Sequence, residues 1–362
     1  MKLALFMSTA NIFLKEIPAT DESSVREIAK PKRYSSRRFR RGCWVQIRSE
    51  TEILATLDAD GKIDGLPFMP EQVKYCRRKF RIYRRADRVY LDQHHFVVRL
   101  KNTVLLDDLR CDGFAHGGCQ MKCLMFWKEA WLTPVEEPAV EEIMLTPTPL
   151  ISLTNLNKET NNQNLNLSPS PPVPLRAPTE GWSGEGRFSC QATELANIGT
   201  RLSGWDPRQY FWDLFYGERS IVEVLKILGK QAQNTLRRIV PRNTTEAPTS
   251  KASKPLGMRL NLQPGDWVEV KSLKEINETL SSDSRLRGLG FSPDMIPFCG
   301  KRFRVQSRVE RMILEWTGEL KQLKDTVALD MVHCDGSSCR GCPRNCFFLW
   351  REDWLKRVEE TV

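Results

Sequence analysis

Shifted along itself by 223 positions, the chain aligns without a gap: residues 42–132 match 265–355, and 35 of the 91 paired positions are identical. Chance gives only a handful. An internal duplication of this quality constrains the fold more than any other feature, because both copies must share one architecture and a pattern present in both is hard to ascribe to accident.

Read together, the copies predict a small sheet with one inserted helix. "WVQIRS" (44–49) and "WVEVKS" (267–272) alternate apolar and polar residues as half-buried strands do. Ser49 and Ser272 each stand three residues before a shared glutamate, Glu52 and Glu275, a capping box for a short helix. "KFRIYRR" (79–85) with "RFRVQSR" (302–308), and "TVLLDDL" (103–109) with "TVALDMV" (326–332), read as two further strands, the second running into a cysteine-rich stretch. Beyond it, Trp127 and Trp131, like Trp350 and Trp354, stand four residues apart, the spacing of one helix face. The expected fold class is therefore α+β. Two homologous small-sheet modules, suspected SH3-like barrels, each carry a Cys-rich metal loop and a C-terminal helix, with a disordered linker and a helical segment between them.

The boundaries follow from composition. Residues 1–41 form a basic N-terminal arm and 42–132 the first module. Residues 133–181 are rich in Pro, Thr, Asn and Ser and read as a disordered linker. Residues 182–240 regain helical period, with Asp206-Pro207 as an N-terminal signal and Val222, Val224, Leu225 and Leu228 as an apolar face available for burial. A second linker, 241–256, leads into the second module, 257–362.

Seven of the eleven cysteines fall in the two repeated stretches. In the second copy the order is Cys334, Cys339, Cys342, Cys346; in the first it is Cys111, His116, Cys119, Cys123 at the same intervals. Histidine thus replaces cysteine at one position of four, and four cysteines or three plus a histidine are both ordinary structural zinc sets. Two zinc ions per chain are expected. An iron-sulfur cluster is the rival occupant, since Cys-x4-Cys-x2-Cys in the second copy coincides with part of a ferredoxin-type spacing. Cys76 and Cys299 also correspond and are possible fifth donors, the bland reading being small buried hydrophobes. Clustering of this kind, with an odd total, favours a reducing compartment over a disulfide framework, so the expected location is cytoplasmic. No stretch is apolar and long enough to span a bilayer.

The chain carries 55 Lys+Arg against 45 Asp+Glu. The excess gathers in "PKRYSSRRFRR" (31–41) and in Arg77, Arg78, Lys79, Arg81, Arg84 and Arg85, interleaved with aromatics, which suits an anionic partner, nucleic acid included, as well as it suits a solvated strand. The second copy dilutes the patch with Gly300, Gln306 and Ser307. Signatures of catalysis are sparse. The sequence holds no phosphate-binding loop, dinucleotide fingerprint or nucleophile elbow. Glu129 and Glu352 are the candidate general bases beside an open metal site, and the adjacent His94 and His95 read as surface residues.

"RCDGFAHGGCQMKCLMFWKEAWL", "FSCQATEL" with "WDPRQYFWDLFYGE", and "GDWVEVKS" ending in "CPRNCFFLWREDWL" resemble the successive signatures of an uncharacterised group of bacterial cysteine-rich proteins with tandem modules. The resemblance brings no established activity. It implies an accessory binding role for a protein or anionic partner, or a metal-dependent or iron-sulfur enzyme or accessory factor of polysaccharide or natural-product biosynthesis. Cys190, in "SCQATEL", is a packed cysteine, a ligand or a reactive thiol.

Overall fold

The computed structural model describes residues 39–92, 96–138, 186–203, 208–215, 217–239 and 259–359. Most of the N-terminal arm, most of the first linker, the second linker, and His94 and His95 lie outside the described residues.

Alternating side chains build the first sheet. Its strands β1 (Trp44–Ile47), β2 (Lys79–Arg85), β5 (Thr103–Arg110), β6 (Leu124–Lys128) and β7 (Leu132–Val135) are antiparallel, in the order β6-β5-β2-β1-β7. Val45 and Ile47 point into the core while Trp44 and Gln46 are half-buried, the two-residue alternation that the sequence showed. The intervening β3 (Val89–Leu91) and β4 (Phe96–Arg99) form a hairpin, and β8 (Thr200–Leu202), from the middle segment, adds to its edge.

In the second copy, β9 (Trp267–Val270), β10 (Arg302–Arg308), β13 (Thr326–His333), β14 (Phe347–Arg351) and β15 (Leu355–Arg357) repeat the arrangement as β14-β13-β10-β9-β15. Its hairpin, β11 (Arg311–Ile313) with β12 (Leu320–Gln322), stays two-stranded. The likeness extends to single dihedrals. Non-glycine residues in the left-handed region recur in register at Asn102 and Asp325 (both +49°), Asp108 and Met331 (+52° and +59°) and Lys122 and Asn345 (both +47°).

Both capping boxes form. Ser49 caps α1 (Glu50–Leu54) and Ser272 caps α6 (Leu273–Asn277), each with its glutamate returning to the cap N–H. The C-terminal helices do not. Residues 124–128 and 347–351 are strands, followed by single 3-10 turns at Glu129–Trp131 and Glu352–Trp354 that swing the chain into the last strand. The two Trp of each pair are fully buried on different elements rather than on one helix face. Aromatic residues fit a pleated, two-sided interior at least as well as a helix. Trp131 Nε1 donates to Thr56 Oγ1 at 3.1 Å and Trp354 Nε1 to Thr279 Oγ1 at 3.0 Å, tying each turn to the end of the capped helix.

The middle segment contributes α3 (Gln191–Ile198), α4 (Arg208–Phe215) and α5 (Ile221–Ile239). The apolar face expected of α5 is only partly used: Val224 and Ile227 are buried, whereas Val222, Leu225 and Leu228 are exposed. What anchors this helical pair is polar. Glu218 accepts the N–H groups of Arg41 and Arg85, both at 3.2 Å, while the Arg219 guanidinium donates to the Gly341 carbonyl of the second copy. Among the described residues, no helix is long and apolar enough to cross a membrane.

Candidate metal centre

Each cysteine-rich stretch is the loop of a β-hairpin. The Cys111 N–H donates to the Cys123 carbonyl at 2.8 Å, and the Cys334 N–H to that of Cys346 at 2.8 Å, closing both loops at their base. The ligand candidates are therefore presented by a wrapped loop, not by one face of a helix as the spacing of three and four suggested. Inside each loop the Gly113 and Gly336 N–H groups donate to the sulfurs of Cys111 and Cys334 at 3.4 Å. Backbone N–H groups aimed at sulfur are the usual surroundings of a thiolate.

In the first loop three donor atoms, from Glu71, Cys111 and His116, lie within 4.8 Å of one another. His116 Nε2 is 3.5 Å from Cys111 Sγ, and its Nδ1 is 3.0 Å from Glu71 Oε1. Glu71 also accepts the Ala115 N–H at 2.9 Å, so the carboxylate holds both the ring and the loop that carries it. Burial pushes the Glu71 carboxyl up, but the nearby His116 ring and the Ala115 hydrogen bond outweigh it and leave the group below the ordinary carboxylate range. Both residues are almost fully buried; Glu71 Oε2 has no hydrogen-bond partner, and His116 Nδ1, though close to Oε1, makes no aligned hydrogen bond.

Glu71 was not among the sequence-derived candidates, yet a signal was present. Its counterpart at the same register is Asp294, so both copies carry an acid there. Asp294 accepts from Ser338 Oγ, the counterpart of Ala115, and lies 3.4 Å from Lys230 Nζ of α5. In the second loop, Cys334 Sγ and Cys339 Sγ are 4.0 Å apart. That contact pulls the Cys334 thiol down and pushes the Cys339 thiol up, as expected when one of two adjacent sulfurs takes the charge.

The remaining candidates meet in an unexpected place. A single cavity of about 790 Å³ lies between the two copies, and all eight register-matched donors line it: Cys111, His116, Cys119 and Cys123 from one side, Cys334, Cys339, Cys342 and Cys346 from the other. Cys190 of the middle segment lines it too. Thus the loops of the two copies open onto one shared cavity. The Tyr90 N–H of the first copy is hydrogen-bonded to Cys342 of the second, and Gln120 accepts the Glu310 and Arg311 N–H groups across the same boundary. Burial raises the Cys123 and Cys342 thiols above their ordinary value and pushes Cys346 up to about 12.

Arg344 lines the same cavity as Cys123 and Cys346 and makes a two-pronged ion pair with Glu315. Burial opposes its charge, yet Glu315 and the two sulfurs hold the guanidinium well above its ordinary value.

Other predicted roles are relocated. Cys76 and Cys299 are absent from the cavity lining and pack against the cores of their own copies, so they are not brought to the donor sets. Burial pushes the Cys76 thiol up to about 11. Among the basic residues, Arg84 donates to the Glu218 carbonyl at 2.9 Å and pairs with Glu223, while Arg85 pairs with Glu129 at 2.6 Å and Asp87 at 2.9 Å. Adjacent in β2, the two arginines lie on opposite faces of the strand, and each is held there by its own partners, Arg84 buried and Arg85 half-buried. Arg77 and Arg81 remain exposed, with Arg78 and Lys79 half-buried. Glu129 and Glu352 are bound to Arg85 and Arg308, at 2.6 and 2.9 Å, and Glu352 also accepts the Asn261 and Leu262 N–H groups. Neither carboxylate lines the cavity, which removes the geometric basis for a general base.

Compared with known proteins, the chain matches no family model, no curated protein and no solved structure.

Proposed function

We propose that the chain is a duplicated zinc-binding protein, one ion per cysteine loop, whose sites join the two copies into a binding or accessory module for an anionic or protein partner. The observation that carries this reading is the orientation of His116. One ring nitrogen faces a cysteine sulfur and the other a buried carboxylate, the arrangement by which an outer carboxylate fixes the tautomer and raises the basicity of a metal-bound imidazole. A buried histidine with a packing role alone has no need of the opposing sulfur. The first site draws on Cys111, His116 and Cys119, with Cys123 supplied by the register; the second draws on Cys334, Cys339, Cys342 and Cys346.

The strand order, with a 3-10 turn joining the last two strands of each sheet, supports the SH3-like barrel for both copies. Eleven free thiols accord with a reducing, cytoplasmic location. A binding role is favoured over catalysis because Glu129 and Glu352, the carboxylates that the sequence offered as general bases, are bound in ion pairs away from the cavity. For the partner surface, Arg77, just before β2, and Arg81 within it are the outward-facing cations.

Metal analysis of the purified full chain tests the reading. Close to two zinc ions per chain is the expected result, and iron with inorganic sulfide in equal measure overturns zinc in favour of a redox role. A second reading, a metal-dependent enzyme or accessory factor of biosynthesis, is favoured by the cavity alone, whose volume falls in the ~300–1,000 Å³ range of small-molecule sites. Glu71→Gln provides a sharper check on the donor geometry. It preserves shape but weakens the hold on His116, and zinc affinity at one of the two sites is expected to fall about 10–100-fold. A competition titration with a chromophoric chelator reads it, and unchanged affinity at both sites counts against His116 as a ligand.

A further inference from the structure

We propose that α5 docks the protein on an anionic lipid surface, its exposed aliphatic stripe entering the headgroup layer while its cations meet the phosphates. This surface is separate from the cysteine loops and from Arg77 and Arg81, so docking does not depend on the metal-binding reading.

Ile221, Leu225, Leu228 and Ala232 follow one another at intervals of four, three and four, with Val222 on their border, which makes one side of the helix aliphatic. In the sequence the same spacing runs on through Leu236 and Ile239. Ile221, Val222 and Leu225 are 67%, 64% and 61% exposed, and a Cβ at Gly229, on the same side, would meet nothing within 4 Å. Rotation of the helix cannot hide this stripe. Val224 and Ile227, on another side, are buried, and Ile227 packs on the second cysteine loop, where a Cβ at Gly341 would lie 3.0 Å from its Cδ1. The Arg219 guanidinium, just before the helix, donates to the carbonyl of the same glycine. A contiguous aliphatic face held in water in this way marks an interaction surface.

Charge selects the partner. Along α5 the sequence places Lys226, Lys230, Arg237 and Arg238 against a single carboxylate, Glu223. Glu223 is taken by Arg84 and by Arg41, and Arg41 remains 44% exposed beside the first turn. Lys226, the neighbour of Leu225, is exposed. A second copy of the helix would set cations against cations, whereas an anionic surface is complementary. Composition separates a lipid surface from an acidic protein. The stripe holds aliphatic chains alone, without the Trp, Tyr or Arg that anchors most protein interfaces, and aliphatic burial is non-directional and needs no matching pocket. A one-sided aliphatic face combined with four cations suits a helix lying in the plane of an interface, not one crossing it.

The test is flotation of the full chain with vesicles of phosphatidylcholine, with and without phosphatidylglycerol, at low and high salt. Binding is expected to require phosphatidylglycerol and to fall as salt rises. Leu225→Asp combined with Leu228→Asp should weaken it by about tenfold or more at each salt concentration, and Lys226→Glu should weaken it at low salt only. Both leucines are exposed, so the thermal midpoint of the double variant should match that of the wild type, which separates loss of docking from loss of fold. Binding to the anionic vesicles that survives the double variant overturns the assignment, because it then belongs to another basic stretch of the chain. Absence of vesicle binding by the wild type overturns it too, and a sedimenting dimer that the double variant dissolves would give the stripe to a second copy instead.

Discussion

Gly336→Ala is expected to abolish the second cysteine loop and its metal equivalent. Gly336 is in the left-handed region (φ +76°), and a Cβ there would stand 2.1 Å from the Cys342 carbonyl oxygen. The clash is with backbone, and that backbone is already committed: the Gly341 N–H donates to the Gly336 carbonyl at 2.8 Å and the Cys342 N–H to that of Cys339 at 3.1 Å. The left-handed conformation alone costs about 1–2 kcal/mol for an L side chain. Forcing atoms into a filled space adds about 1–3 kcal/mol when the surroundings can relax, and more when they cannot. Gly113→Ala, with φ +75° and 2.0 Å to the Cys119 carbonyl, should act in the same way on the first loop. Gly288→Ala is the control, being left-handed (φ +81°) with nothing within 4 Å of the added carbon. Thermal denaturation and metal stoichiometry on the three variants separate the contributions. Loop variants that keep two metals and lose no more stability than the control would refute the loop geometry.

The glycines also mark how far the sequence could be read. The register of the two copies made Gly113 and Gly336 equivalent, and strand order, capping boxes and left-handed turns all repeat as an ungapped alignment requires. The eight register-matched cysteine and histidine positions were legible for the same reason: a duplicated spacing with one exchange, His116 for Cys339, is visible without coordinates. The segment after each loop misled, because Trp127 and Trp131 satisfy a helical spacing while Leu124–Lys128 form a strand buried on both faces. Periodicity cannot separate these cases when no polar residue reports the solvent side. The pairing of Arg84 and Arg85 was hidden differently. Apart from Asp87, two residues beyond Arg85, their partners Glu218, Glu223 and Glu129 are 44 to 139 residues away, so nothing within "KFRIYRR" distinguishes a bound arginine from a solvated one. The shared cavity was the least legible of all. The contacts around it, Gln120 to Glu310 and Arg219 to Gly341, each need a residue that the duplication does not repeat, since Gln120 has Pro343 as its counterpart and Arg219 lies outside both copies.

Arg344 and Glu315 test that interface most directly, and the predicted effects are unequal. At the matching positions the first copy has Met121 and Asp92, so a neutral side chain is compatible with this backbone at the arginine site. Arg344→Met removes a buried cation, and Glu315, whose side chain is 35% exposed, can turn to water. The loss is expected to be small, because a buried ion pair replaced by apolar groups of similar volume is often neutral. Glu315→Ala is different. It leaves a buried guanidinium without its carboxylate, and an uncompensated buried charge costs about 3–5 kcal/mol. The lower end of that range applies here, since the exposed part of Glu315 already weakens the pair. In the double variant, Arg344→Met should restore most of what Glu315→Ala removes, giving a coupling energy of opposite sign to the single loss. Denaturant unfolding of the four chains measures it. If Glu315→Ala is neutral, Arg344 has an outlet to water, and the cavity between the two copies is more open than its sulfur lining suggests.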